Sequence, residues 1–312
     1  MGTATPHVRS LAALVAVGLL LGVAGCESSP APDEPAITIG SKGFTESNVL
    51  AATYAEALRR VGFRPTVRDV GSTAGAEASL RAGDIQLYPE YTGTYWVRRG
   101  NDPLALVGDS RASQAADVRR EMAGDPVVYG FAIAPGSNNP VPACRRATGL
   151  RSLADLKGRD VSIAATAEAF TRPDAVPAVA AVYGFRVVGK AVTSTRDRYG
   201  PIAAGTVECV VAYETDPEIK DLDLVVLDDP RGILQRGVDY RPLGLASRDW
   251  WESLPGDVQA RAGEAIANVT GKMTTAWLRA AGRRVTIGGE DPTDVALEAV
   301  NISVPGRVAS GG

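Results

Sequence analysis

At 312 residues, with 45% hydrophobic and 22% charged side chains, the chain is long enough to bury one large core or two ordinary ones. Its formal net charge of -3, with no basic cluster longer than a pair of arginines, argues against a nucleic-acid partner.

The first residues differ from the rest. Leu11 to Val23 is an apolar run of about a dozen residues, too short for a helix across a ~30 Å hydrocarbon core and suited to a signal-peptide core. It ends in V-A-G-C, Val23 to Cys26, which resembles the lipobox of bacterial lipoproteins. That resemblance implies a signal peptide over 1–25, lipidation of Cys26, and an anchor on the outer face of the cell membrane. The Ser-, Pro- and acid-rich stretch to residue 35 has nothing to pack and reads as a tether. Cleavage before Cys26 removes His7, the single histidine. No Ser-His-Asp or Cys-His nucleophile could then be built, and the commonest metal ligand would be missing. We therefore expect no enzyme, no metal and no cofactor. Cys144 and Cys209 remain, outside any ligand spacing, and a disulfide between them is expected in an exported protein.

From Ala36 the elements alternate. A-I-T-I to Ile39 reads as a strand, and Thr45 as the cap of a helix with apolar positions Val49, Leu50, Tyr54, Ala57, Leu58 and Val61, ending at Gly62. Pro65–Val70 is the next strand, a short helix runs from Ser72 or Thr73 to Gly83, and Asp84–Tyr88 is the third strand. This βαβαβ order predicts a mainly parallel sheet covered by helices. The pattern recurs with strands at Val127–Ala134, Asp160–Ala164, Phe185–Val188, Cys209–Tyr213 and Asp223–Leu227, a short helix at Leu153–Leu156 and a longer one over Ala175–Tyr183. One amphipathic helix is predicted over Asp257–Ala281, and a turn at Gly288–Asp291 before the last helix. Two α/β lobes are the economical arrangement, the first from 36–129 and 216–312 and the second from 130–215.

Ligands of such sheets bind outside the carboxyl ends of the strands. Those ends carry Ser41, Lys42 and Thr45, then Tyr91 and Thr94, then Tyr129, Arg172, and Tyr213 with Asp216. Tyrosine faces without acidic neighbours suit a cation that cannot donate hydrogen bonds, and an arginine fork suits a carboxylate. Together they describe a zwitterion with a quaternary ammonium at one end.

G-S-K-G-F-T-E (Gly40–Glu46), G-D-I-Q-L-Y-P-E-Y-T-G-T (Gly83–Thr94), F-T-R-P-D (Phe170–Asp174) and A-Y-E-T-D (Ala212–Asp216) resemble the ordered motifs of the glycine betaine/choline-type substrate-binding proteins of osmoprotectant ABC transporters. The resemblance runs from about Ala36 to Ala296. It implies a type II periplasmic-binding-protein fold of two hinged lobes, acting as a monomer with an ABC permease and its ATPase. It also implies cage walls at Tyr91, Tyr129 and Tyr213, a carboxylate held by Lys42, Thr94 and Arg172, and packing roles for Tyr88, Tyr95 and Trp96. Tyr240 is the candidate for a fourth wall. Gly43, Ser47, Val127 and Val128 depart from the family pattern and bear on selectivity. The other reading keeps the fold and changes the ligand to a histidine-derived betaine, choline or an aromatic compound, held by a scavenger or sensor.

Overall fold

Among the described residues ten strands fall into two five-stranded sheets. The computed structural model describes residues 1–2, 34–102, 105–106, 109–172, 175–194, 197–234 and 239–301. All but the first two residues of the expected signal segment, Cys26 and nearly all of the tether lie outside them. From Glu34 the chain forms one compact unit. In chain order the strands are β1 Ala36–Ser41, β2 Arg64–Asp69, β3 Leu87–Tyr91, β4 Val128–Ile133, β5 Pro140–Arg145, β6 Asp160–Thr166, β7 Arg186–Thr193, β8 Cys209–Tyr213, β9 Leu224–Val226 and β10 Pro242–Ser247. The longer helices are α1 Thr45–Arg59, α2 Thr73–Ala82, α3 Thr92–Arg98, α4 Arg111–Gly124, α5 Val176–Tyr183, α6 Gly256–Thr270, α7 Thr275–Thr286 and α8 Pro292–Asn301.

The first sheet has the order β2-β1-β3-β10-β4 and the second β7-β6-β8-β5-β9. β1 pairs in parallel with β2 and β3, and β6 with β7 and β8. β10 runs antiparallel to β3 and β4, and β5 antiparallel to β8 and β9. The sheets are thus mixed where a mainly parallel one was expected. The antiparallel strands β5 and β10 are the two by which the chain enters a new sheet. Their sequences begin with Pro140 and Pro242 and lack a clean apolar alternation, so neither was foreseen. β4 stays in the first sheet as far as Ile133 and β9 pairs in the second, so the chain changes sheet at 134–139 and 227–241. The limits expected at 129/130 and 215/216 fall earlier in the chain.

Of the helix positions foreseen, Val49, Leu50, Tyr54, Ala57 and Leu58 are buried in α1, with Leu50, Tyr54 and Leu58 at the centre of the first core beside Phe63 and Ile266, whereas Val61 lies beyond the helix end at Arg59 and is half-buried. Phe44, in extended conformation, is the residue before the helix; Thr45 is its first turn and does not cap it. α2 is capped by the Ser72 hydroxyl, which accepts from Gly75 N, and stops at Gly83 in the left-handed region. The second core gathers Leu153, Val161, Val179, Tyr183 and Leu227. Cys144 and Cys209 stand opposite each other on β5 and β8 and are bridged.

The single helix expected over Asp257–Ala281 is two. α6 ends at Thr270, and the Thr274 hydroxyl accepts from Trp277 N at 3.1 Å to start α7. The first crossing docks on this break: Gly136 N donates to Met273 O at 2.9 Å and Ser137 N to the Thr275 hydroxyl at 2.9 Å. A side chain on Gly136 would put its Cβ 2.3 Å from the Thr274 carbonyl carbon, so only glycine permits this approach. Among the described residues no helix is long and apolar enough to cross a membrane.

Candidate functional site

Residues from the strand ends of both sheets line one cavity. β1 runs into Lys42 and Phe44, β3 ends at Tyr91 with Thr94 one helical turn on, β8 ends at Tyr213, and the two crossings add Asn138 and Tyr240. Arg172 lines it from the loop after the short turn Glu168–Phe170. Six of the seven expected ligand residues therefore meet there. The seventh, Tyr129, does not. It lies on β4 opposite Ala246, and its ring stacks on Trp251 at 4.8 Å and meets Phe131 edge-on at 5.1 Å. The strand turns this ring toward the first core. Tyr88 and Tyr95 are 1% and 2% exposed and also pack in the interior.

The third strand, expected over Asp84–Tyr88, does not stop at Tyr88. The strand continues to Tyr91, and α3 starts at Thr92. Pro89 sits inside β3 opposite Gly244. Gly93 is required by its neighbour, because a Cβ there would lie 2.7 Å from Tyr240 Cε2. The Gly83–Thr94 motif thus makes the seat for a ring contributed 147 positions later, as the separation of the bonded pair Thr92 and Asp239 records.

Buried carboxylates fix the first wall. Glu90 pairs with Lys42 Nζ at 2.5 Å and accepts from Tyr91 N at 2.9 Å. Lys42 Nζ lies 4.7 Å from the Tyr91 ring centroid and 5.8 Å from that of Phe44. The Tyr91 hydroxyl donates to Glu46 Oε1 at 2.6 Å, and the Thr215 hydroxyl donates to Glu46 Oε2 at 2.8 Å. Burial raises the Glu46 carboxyl from 4.5 to about 7, against the hydrogen bonds from Tyr91, Thr215 and Asn138 that favour its ionised form. Burial, with Glu46 next to it, also holds the Tyr91 phenol well above its ordinary range, so it stays a neutral donor.

On the second wall Arg198 pairs with Asp216 at 3.0 Å and covers the Tyr213 ring at 4.5 Å. Neither Arg198 nor Phe44, Asn138 and Glu168 was foreseen as a cavity residue. Phe44 stands inside a motif already singled out; Arg198 lies in a loop with no pattern to mark it. Among the described residues no cluster of His, Cys, Asp and Glu could hold a metal ion.

Two α/β sheets joined by two crossings around such a cavity match the type II periplasmic-binding-protein fold. The chain belongs to the family described as the substrate binding domain of ABC-type glycine betaine transport systems, which matches residues 35–301. It is a substrate-binding protein of a betaine-type ABC transporter and not an enzyme. The chain is 29% identical over 244 residues to the glycine betaine-binding protein YehZ of Escherichia coli (strain K12), covering 72% of this chain and 75% of that protein. It is 24% identical over 220 residues to the ergothioneine transport permease/ergothioneine binding protein EgtU of Helicobacter pylori (strain G27), covering 67% of this chain but 39% of that protein. A solved glycine betaine/carnitine/choline ABC transporter structure shares the fold, with a TM-score of 0.62 at 16% identity over 86% of this chain and 98% of the other.

Proposed function

We propose that this protein captures a glycine betaine-like zwitterion outside the cytoplasmic membrane and delivers it to the permease of an ABC importer. The observation that carries this reading is the meeting of Tyr91, Tyr213, Tyr240 and Phe44 with Lys42, Thr94 and Arg172 in one cavity. The rings form the cage for the trimethylammonium group, each contributing ~0.5–2 kcal/mol of cation-π attraction when desolvated. Arg172, Thr94 and Lys42 hold the carboxylate. Because Tyr91 belongs to the first sheet and Tyr213 and Arg172 to the second, the ligand is enclosed only when the two lobes come together, and closure is the signal read by the permease. The protein works as a monomer tethered through lipidated Cys26.

Calorimetric titration with glycine betaine, proline betaine, carnitine and choline tests this reading. Binding of at least one supports it, and no binding to any of them at millimolar concentration sinks it. A histidine-derived betaine is the second reading. Tyr129 supplies no wall, which leaves room for a larger ligand, and the relative EgtU is described as binding ergothioneine. Ergothioneine added to the same titration separates the two.

A further inference from the structure

We infer that Arg198 receives the ligand's carboxylate and makes the second wall of the cavity select zwitterions over carboxylate-free cations such as choline. The inference rests on the capture reading above. Arg198 is 8% exposed, and it is one of the residues lining the cavity. A buried guanidinium must be hydrogen-bonded to repay its lost hydration, and it carries five N–H donors in a planar fork.

The protein uses little of that fork. Nη1 donates to Asp216 Oδ2 at 3.0 Å, and no other hydrogen bond from the Arg198 side chain occurs among the described residues. Asp216 is itself shared: the same oxygen accepts from the Tyr199 hydroxyl at 2.6 Å and from Tyr213 N at 3.0 Å. Three donors divide one carboxylate oxygen, so Asp216 engages only one edge of the Arg198 fork. What Asp216 and the Tyr213 ring do is hold the guanidinium in place, with donors left for a second carboxylate. Two parallel N–H bonds from such a fork add both energy and geometric specificity in holding a carboxylate.

The same placement changes the part played by Tyr213. Arg198 lies over the Tyr213 ring at 4.5 Å as Lys42 Nζ lies over the Tyr91 ring at 4.7 Å, so both walls set a fixed cation beside an aromatic face. The ring end of the cavity is Tyr91, Tyr240 and Phe44. The anion end is Arg198 with Arg172, and Tyr213 stands at the boundary. Choline would place its hydroxyl where a charge is wanted.

The test compares the full-length wild type with Arg198→Gln and Arg198→Lys by calorimetric titration of glycine betaine and choline. Gln keeps a planar polar group over Tyr213 without the charge; Lys keeps the charge without the fork. We expect R198Q to weaken glycine betaine binding at least tenfold, with choline changed less than threefold, and R198K to recover part of the loss. Where choline binds no form, the loss in R198Q with partial recovery in R198K decides for the proposal. Equal weakening of both ligands in R198Q, or glycine betaine affinity within twofold of wild type, overturns it. A poorly folded R198Q leaves R198K, where an unchanged glycine betaine affinity has the same overturning force. Failure of the wild type to bind any quaternary ammonium compound counts instead against the capture reading.

Discussion

The two walls of the cavity are built differently. On the first, Lys42, Tyr91 and Thr94 are 3%, 6% and 4% exposed, and two buried carboxylates hold the Tyr91 ring by its hydroxyl and its backbone. On the second, Glu168, Arg172 and Tyr213 are half-buried and stand on a short 3-10 turn, a loop and a strand end. Only Arg198 there is both buried and braced. In the proposed reading the first wall is preorganised for the ligand, so ordering it costs little at binding. In the same reading the second is the part that closure completes. Glu46 joins them, since it accepts from Tyr91 of the first sheet and from Thr215 just beyond β8 of the second.

Four measurements can break or sharpen this contrast. The largest effect concerns Glu46. Its folded pKa is raised, so the bound proton stabilises the native state; that contribution is full below about 4.5 and is lost as pH rises through about 7. Glu46→Gln removes the slope, and its stability relative to wild type should improve by about 3 kcal/mol between pH 4.5 and pH 8, read by denaturant unfolding at each pH. A pH-independent difference would show that the carboxyl is not held in an apolar setting. Next, Tyr91→Ala should weaken glycine betaine binding by a factor of roughly 30, about 2 kcal/mol, while the protein stays folded by circular dichroism. Arg172→Ala, on the more exposed wall, should cost about tenfold in the same titration. Tyr129→Phe should alter affinity less than about twofold, because that ring stacks on Trp251 outside the cavity; a larger loss would return Tyr129 to the cage.

Much of the first wall is legible in contiguous motifs because strand, turn and helix there follow one another without interruption. Lys42, Tyr91 and Thr94 sit just after strand ends that apolar runs reveal, and α1 declares itself by helical spacing. Tyr129 misleads for a physical reason: its strand end is recognisable, but which face a residue of β4 presents depends on pairing with β10, a strand opening on Pro242 that periodicity does not show. Tyr240 is ambiguous in the sequence because what seats it is Gly93, far away along the chain. Arg198 is silent, since its importance comes from Asp216 and Tyr213 closing around it in three dimensions. The break between α6 and α7 is hidden in the same way, being fixed by the crossing strand that docks at Gly136.

The most direct test of the account is a crystal structure of the protein with glycine betaine. It should place the trimethylammonium group against Tyr91 and Tyr240, with the carboxylate directed at Arg198 and Arg172. A ligand bound elsewhere, or one lying in this cavity with its trimethylammonium group against Arg198 and Arg172, would contradict it.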